Sequence, residues 1–523
     1  MDNKGKKVRK LSLFRTRRPE MEEESKNTSE KNTLIDTEIK TLGKESAIYG
    51  IANVVSRFLN FLLTPFYTHF LPTGEYGIVA GVYSYIAFIN IVYHYALDQA
   101  YQQYFNNREL AFSAAIKCQI GTTALLTFVL CAFAPFWADL GGIAVKYVYF
   151  ASAILVLDTV LIIPFADLQM RHKAKKFALI KSLSIIFNIA LIVIFIGVLK
   201  WSIDAIFWAN IAQSILQIIF VLPEFRIFSF RKQPGTEEIL KKMLQYAWPL
   251  FFAEAGIMVV QIFDRPIMLK TLGESAVGIY QAAVKLGIFM QLLVNMFDTA
   301  WKPFILGRRK NKYSREDTVQ LFSKIFTYFI AFSLAAWIML SFFIGDIVQV
   351  RIFGKSLFGP KYWGALDLLP MFFGAFVLHG VYVNLKASII ITQKSEISAI
   401  VAITSSLISL AGNYLLIPRL GMLGGAIMLM TSYAIMCIMM YLFSRKIYPI
   451  PYQWKKVMLL CLAAAICFIP GYLYKGAFAI PVKIICTVLY PVAIWNIGFF
   501  SEEEKQTITG YFERRFSRFL PKK

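Results

Sequence analysis

The rest of the sequence can be placed around Tyr246–Leu306, which reads YAWPLFFAEAGIMVVQIFDRPIMLKTLGESAVGIYQAAVKLGIFMQLLVNMFDTAWKPFIL. It holds two apolar runs, 247–269 and 277–300, each about the twenty residues that a helix needs to cross a bilayer core. Within and between them stand Glu254, Asp264, Arg265, Lys285 and Asp298. An ionisable side chain at membrane depth costs at least about 2.5 kcal/mol, so by default it faces a cavity or a partner. Two crossings that keep five such residues predict a membrane protein with a wet interior.

Outward from this stretch, apolar segments recur along nearly the whole chain. They fall at 46–70, 77–97, 112–136, 147–169, 178–199 and 204–222, then at 247–269, 277–300, 320–345, 364–392, 396–417 and 424–443. Two more, 456–474 and 479–499, precede a basic tail. The 523 residues are 57% hydrophobic and 17% charged, with a mean hydropathy of +0.56, which excludes a multidomain soluble protein. Runs of twenty apolar residues also exclude a β-barrel, whose strands alternate over roughly ten. The expected fold class is therefore an all-α polytopic membrane protein of about fourteen transmembrane helices. Its first apolar segment, from Ser46, is too long for a signal-peptide core, so no cleaved leader is expected.

The net charge of +23 is a topology signal, and no nucleic-acid partner is expected. With the N-terminus inside, the inner loops carry twenty basic residues, among them Arg171, Lys173, Lys175, Lys176, Arg308 and Arg309. The outer loops carry eight: Lys146, Lys200, Lys270, Arg351, Lys355, Lys361, Arg419 and Lys475. Both termini are therefore expected on the cytoplasmic side. The expected organisation is a disordered basic arm (1–45), an N-lobe of helices 1–6 (46–222) and a cytoplasmic connection (223–242). A C-lobe of helices 7–12 (243–444), helices 13 and 14 (445–500) and a basic cytoplasmic tail (501–523) complete it. The arm holds eight basic residues from Lys4 to Arg18, suited to anionic headgroups.

The two lobes repeat. Sliding the first segment by 201 positions sets Pro65 on Pro266, Gly77 on Gly278 and Ile78 on Ile279. Polar positions coincide too: Asn53 on Glu254, Asn60 on Gln261 and Thr64 on Arg265. At 100° per residue Asn53, Arg57, Asn60 and Thr64 form one narrow stripe, and Glu254, Gln261 and Arg265 form another. Six crossings separate the copies, so the repeat is parallel, with a pseudo-two-fold axis along the membrane normal. Substrate is expected between the halves near the midplane. Amide stripes alone also serve to hold membrane helices together. Arg57 is less easily explained that way, because it lies about a dozen residues from either end of its span.

The opening of the second lobe resembles that of bacterial polysaccharide flippases, the Wzx-type branch of the multidrug/oligosaccharidyl-lipid/polysaccharide (MOP) exporter superfamily. The residues that carry the resemblance are Phe263-Asp264-Arg265, Leu272-Gly273, Gly278-Ile279-Tyr280, Ala283 with Lys285, and Trp301-Lys302-Pro303-Phe304. The first segment and its exit resemble the family as well, with Ser56-Arg57 followed by Thr73-Gly74-Glu75-Tyr76-Gly77. The resemblance covers roughly 44–500. It implies a MATE-like fold of two six-helix lobes plus two C-terminal helices, placed in a bacterial inner membrane. Lipid II flippases of the superfamily usually add an Arg-Asp pair further along the first helix. This chain has Leu63 and Thr64 there, which argues against a peptidoglycan precursor as cargo.

The cargo that the resemblance implies is a polyprenyl-diphosphate-linked oligosaccharide, whose diphosphate and hydroxyls cannot cross hydrocarbon unaided. Its carrier needs fixed positive charge in a hydrated cavity, and Arg57, Arg265, Lys285 and Lys117 can supply it. Asp264 is placed to pair with Arg265 or Lys285, and Gln281 shares the face of Lys285. The expected substrate-binding set is thus Arg57, Asn53, Asn60, Lys117, Glu254, Gln261, Asp264, Arg265, Gln281 and Lys285. Asp158 and Asp298 are candidates for ion coupling; Asp167 and Asp298 lie near helix ends, where water reaches them.

The six cysteines lie inside apolar segments without a CxxC pair, and the four histidines are scattered, so no metal or disulfide framework is expected. The sequence has no Walker A motif and no HExxH, and neither catalysis nor a cofactor is expected. Transport then runs on a gradient, on membrane potential or on substrate supply. Membrane lipids are expected partners, and the resemblance leaves other glycan-assembly membrane proteins open. A cation-coupled MATE-type multidrug antiporter would share the fold, but the cationic stripe and the extra helix pair argue against it. A membrane glycan polymerase or ligase would need a long external loop; the longest here, 346–363, is short.

Overall fold

The computed structural model describes residues 55 and 58–509, apart from 230, 232, 233, 311–313, 353, 393, 475, 477, 497, 498, 501, 503, 504, 507 and 508. The arm 1–45, Asn53, Arg57 and most of the tail lie outside the described residues.

Hydrocarbon offers no partner for backbone N–H and C=O groups, so each apolar run satisfies them internally as a helix. The first lobe holds α1 (58–70), α2 (Thr73–His94), α3 (Leu97–Gln103), α4 (Arg108–Ala132), α5 (Ala134–Gly141), α6 (Val145–Met170), α7 (Ala174–Ile192) and α8 (Asp204–Val221). The second begins with α9 (Thr236–Ile262), α10 (Asp264–Leu272), α11 (Glu274–Leu286) and α12 (Ile288–Lys310). It continues with α13 (Arg315–Gln349), α14 (Leu369–Leu385), α15 (Ala387–Thr392), α16 (Ser395–Leu420) and α17 (Met422–Ile447). Helices α18 (Trp454–Leu473) and α19 (Ala479–Asn496) follow. The loop after α13 contains a two-residue antiparallel hairpin, β1 (Arg351–Ile352) with β2 (Lys355–Ser356).

Twelve continuous helical stretches among the described residues are long and apolar enough to cross a membrane, and the pair α11 and α12, bent by 45°, supplies a further crossing. Of the first expected crossing, the described part is helical from 58 to 70. The protein is a multi-pass membrane protein, and its outer surface agrees. Phe128, Leu179, Phe332, Leu407, Ile438 and Leu462 are all more than half exposed, an apolar coat that only lipid can cover.

Several expected crossings are interrupted. The second turns at Tyr95 and Ala96, whose φ angles of 34° and 56° end α2 before α3 resumes. The seventh breaks at Phe263: Pro266, three residues on, has no N–H to return to the preceding turn. The eighth bends at Gly287, against which the Phe376 ring packs so closely that a Cβ would lie 2.7 Å from it. The last two of these breaks lie where α9 to α12 wrap the space between the lobes.

Each lobe has its own apolar core. Tyr93, Ile154, Leu155 and Phe207 centre the first; Phe322, Phe326, Phe372 and Tyr433 belong to the second. A third cluster joins the lobes, with Ile239, Met243 and Ala247 of α9 packed on Ala100 of α3 and on Phe112 and Ala115 of α4. At the opposite end, where α2 and α11 begin, the lobes meet again. Thr73 Oγ1 donates to Ser275 Oγ at 3.3 Å, and the Tyr362 hydroxyl donates to the Leu71 carbonyl at 2.9 Å.

Candidate functional site

Between these two contacts lies a cavity of about 560 Å³. The repeat is visible in its walls. Asn60 and Gln261 both line it, as do Thr64 and Arg265, so two of the three superposed polar pairs converge on one space. Gln281, Lys285 and Gln291 add a polar face from α11 and α12, and Tyr67, Tyr83 and Tyr433 add phenols.

Arg265 is anchored on three sides. Its Nε donates to Gln281 Oε1 at 2.8 Å, and its Nη1 donates to the Gln261 carbonyl at 2.6 Å and to Asp264 Oδ1 at 2.8 Å. Arg265 is 5% exposed and Asp264 3%, so this is a buried ion pair inside a membrane span. The Tyr280 hydroxyl donates to Asp264 Oδ2 at 2.5 Å, which satisfies the second carboxylate oxygen. Gln261 Nε2 in turn donates to the Tyr433 hydroxyl at 3.0 Å. Asp264 therefore stands behind Arg265 and orients it, while Gln281 and Gln261 fix the plane of the guanidinium. These three acceptors take Nε–H and both Nη1 hydrogens, which leaves Nη2 to offer a charge-assisted hydrogen bond to an anion.

Three expected site residues stand elsewhere. Lys117 does not reach the cavity: its Nζ donates to the Arg231 carbonyl at 2.7 Å, in the connection between the lobes. A flexible four-carbon stem goes to the nearest acceptor, and helix periodicity cannot say where that is. Glu254 accepts a hydrogen bond from Gln99 Nε2, so it joins α9 to α3 across the lobe seam and does not line the cavity. Asp298 pairs with Lys302 one turn along α12, at 2.8 Å. Asn53 and Arg57 lie outside the described residues.

Asp158 opens on a second space. A pocket of about 440 Å³ lies within the first lobe, between α2, α3, α6, α7 and α8. Asp158 accepts from Ser214 Oγ at 2.7 Å, and Lys181 Nζ stands 3.5 Å from Gln217 Oε1 and 4.2 Å from the centre of the Phe165 ring. Asn210 and Gln213 belong to the walls of both spaces. Sequence reading missed these amides because 204–222 counts simply as an apolar crossing. The signal was present: Asn210, Gln213, Ser214 and Gln217 recur at helical spacing on one face of α8.

Asp167 differs most from expectation. It is not hydrated but fully buried, and it accepts from Arg108 Nε at 2.6 Å, from the Tyr101 hydroxyl at 2.7 Å and from Arg171 Nη1 at 3.3 Å. Arg171 also binds Glu224, which accepts from Lys176 at 2.6 Å. This network ties α3, α4, α6 and α7 to the turn after α8. Among the described residues no group of His, Cys, Asp or Glu is placed to hold a metal ion.

Comparison with known proteins agrees with this architecture. An uncharacterized membrane protein of Methanocaldococcus jannaschii is 23% identical over 87% of this chain and 96% of its own length. A solved lipid II flippase, MurJ in an inward closed conformation, superposes with a TM-score of 0.68 over 86% of this chain and 99% of its own, at 15% identity. An outward-facing multidrug resistance MATE family transporter of the MOP superfamily gives a TM-score of 0.52 over 78% and 95%, at 17% identity. These two share the fold, with the two lobes, of the present chain. Residues 42–307 match the model of the family described as polysaccharide biosynthesis protein. That match takes in the whole first lobe and the opening of the second, half of the sequence, and the chain belongs to the polysaccharide biosynthesis protein family.

Proposed function

We propose that the protein moves a polyprenyl-diphosphate-linked oligosaccharide from the cytoplasmic to the outer leaflet of a bacterial inner membrane by alternating access. The observation that carries this reading is the cavity between the lobes, where Arg265 and Lys285 stand among amide and phenol side chains. Anchored cations suit a diphosphate, and amides that donate and accept suit sugar hydroxyls. A volume of about 560 Å³ falls in the roughly 300–1,000 Å³ range of small-ligand sites, enough for a diphosphate and its first sugars. Membership of a polysaccharide biosynthesis family and a fold shared with a lipid II flippase support the reading. A carrier of cationic drugs would need the opposite sign of charge at Arg265 and Lys285.

The test is deletion of the gene followed by extraction of lipid-linked glycans. Accumulation of one glycan on the cytoplasmic leaflet, reversed by the wild-type gene, is the expected result. Unchanged lipid-linked glycans together with sensitivity to cationic dyes would favour a drug antiporter.

A further inference from the structure

We propose that the first-lobe pocket is a glycan subsite, which reads the sugars of the cargo while its diphosphate sits at Arg265 and Lys285. This rests on the flippase reading above and adds to it a place where specificity resides. The two spaces share Asn210 and Gln213, so a cargo whose diphosphate is in the central cavity can pass its sugars along α8 into the pocket.

The chemistry of the walls points to carbohydrate. Asn90, Gln169, Asn210, Gln213 and Gln217 are amides, which both donate and accept. Gln169 Oε1 already accepts from Gln102 Nε2 at 3.1 Å and Asn210 Nδ2 donates to the Tyr83 hydroxyl at 2.9 Å, each amide keeping further capacity. Sugar hydroxyls need that mixture, since each both donates and accepts. Asp158, oriented by Ser214, adds one strong acceptor, and Asp98 presents a buried Oδ1 that lacks a hydrogen-bond partner. An inorganic cation fits less well. Lys181 lines the same space as Asp158 and brings its own positive charge there. The Phe165 and Phe177 rings, 5.4 Å apart, give the pocket an apolar side against which the C–H face of a sugar can lie.

The position is suitable as well. His94 and Gln169 lie towards the ends of α2 and α6 that loop charge assigns to the cytoplasm, with Asp98 just beyond His94 on α3; that is the side on which lipid-linked glycans are built. Sugars would reach this pocket before the lobes close over the diphosphate.

The test uses the full-length protein in lipid nanodiscs, with Asn90→Leu and Gln169→Leu combined. Neither residue touches the central cavity. Binding is measured with two probes: undecaprenyl diphosphate, and the undecaprenyl-diphosphate-linked oligosaccharide extracted from cells that make this protein. The variant should bind the glycan-bearing lipid about tenfold more weakly than wild type and bind undecaprenyl diphosphate as wild type does. The second measurement also shows that the variant is folded. Equal affinities of wild type and variant for the glycan-bearing lipid would overturn the subsite alone. So would a sodium-induced rise in melting temperature that Asp158→Asn abolishes while glycan discrimination persists. Wild-type protein that binds neither probe would overturn the flippase reading and the subsite with it.

Discussion

Gly77 and Gly278 lie against each other's helices across the lobe seam. A Cβ on Gly77 would sit 1.8 Å from the Glu274 carbonyl oxygen, and one on Gly278 would sit 2.0 Å from that of Thr73. The two contacts are the same contact seen twice, since 73 and 274 are related by the same 201-residue slide as 77 and 278. No side chain, not even a methyl group, fits without moving a backbone. Gly77→Ala and Gly278→Ala should therefore push α2 and α11 apart and disfavour closure at that end. Thr73→Cys with Ser275→Cys reports on it, because the two hydroxyls stand 3.3 Å apart. Oxidative cross-linking should be efficient in the otherwise wild-type chain and fall sharply in either glycine variant; unchanged cross-linking would refute this account of closure.

Arg265 and Asp264 form a buried pair, and breaking one side leaves the other uncompensated. Arg265→Gln should lower stability by roughly 3–5 kcal/mol and reduce the amount of protein in the membrane. Asp264→Asn added to it should restore melting temperature but not transport. A single Arg265→Gln variant that melts like wild type would show that the pair does not hold α10 in place.

Lys285 stands at the cavity wall. Lys285→Gln keeps a long polar side chain there, so melting temperature should change little. Transport of the lipid-linked glycan should fall by about tenfold or more, because a charge-assisted contact to phosphate is lost. Export at the wild-type rate would mean that the diphosphate does not use this residue.

Orientation can be tested at two exposed lysines. Lys355→Cys, in the hairpin after α13, should react with an impermeant thiol reagent in cells whose outer membrane is permeabilised. Lys241→Cys, near the start of α9, should react only after lysis. Ser356 is a poorer reporter than its neighbour, since it is 8% exposed and its hydroxyl is bonded to the Phe358 carbonyl. The reverse labelling pattern would invert the topology and every sidedness drawn from it.

Hydropathy alone located the crossings that fall among the described residues, because membrane helices carry their burial pattern in composition. The stripes that converge on the cavity were legible for a related reason: Asn60, Thr64, Gln261 and Arg265 keep helical spacing and a common offset. What stayed hidden depends on partners far away in sequence. Asp167 meets Arg108 59 residues before it, and Glu254 meets Gln99 155 residues before it; no local pattern encodes either pairing. The turn at Tyr95 and Ala96 was equally unreadable, since neither residue is a glycine or a proline.

The network centred on Asp167 has a mechanical consequence. The ion pairs Arg108–Asp167, Arg171–Glu224 and Lys176–Glu224 all lie within the first lobe and the turn that follows α8, and Arg265–Asp264 and Lys483–Asp346 lie inside the rest of the chain. The contacts across the seam described above are of another kind: glycine against backbone, hydroxyl against hydroxyl, an amide against Glu254 and aliphatic surface. If the lobes rock as proposed above, those five salt links stay intact and only the seam contacts change. On the flippase reading proposed above, the net direction of travel would then follow the difference in cargo between the two leaflets.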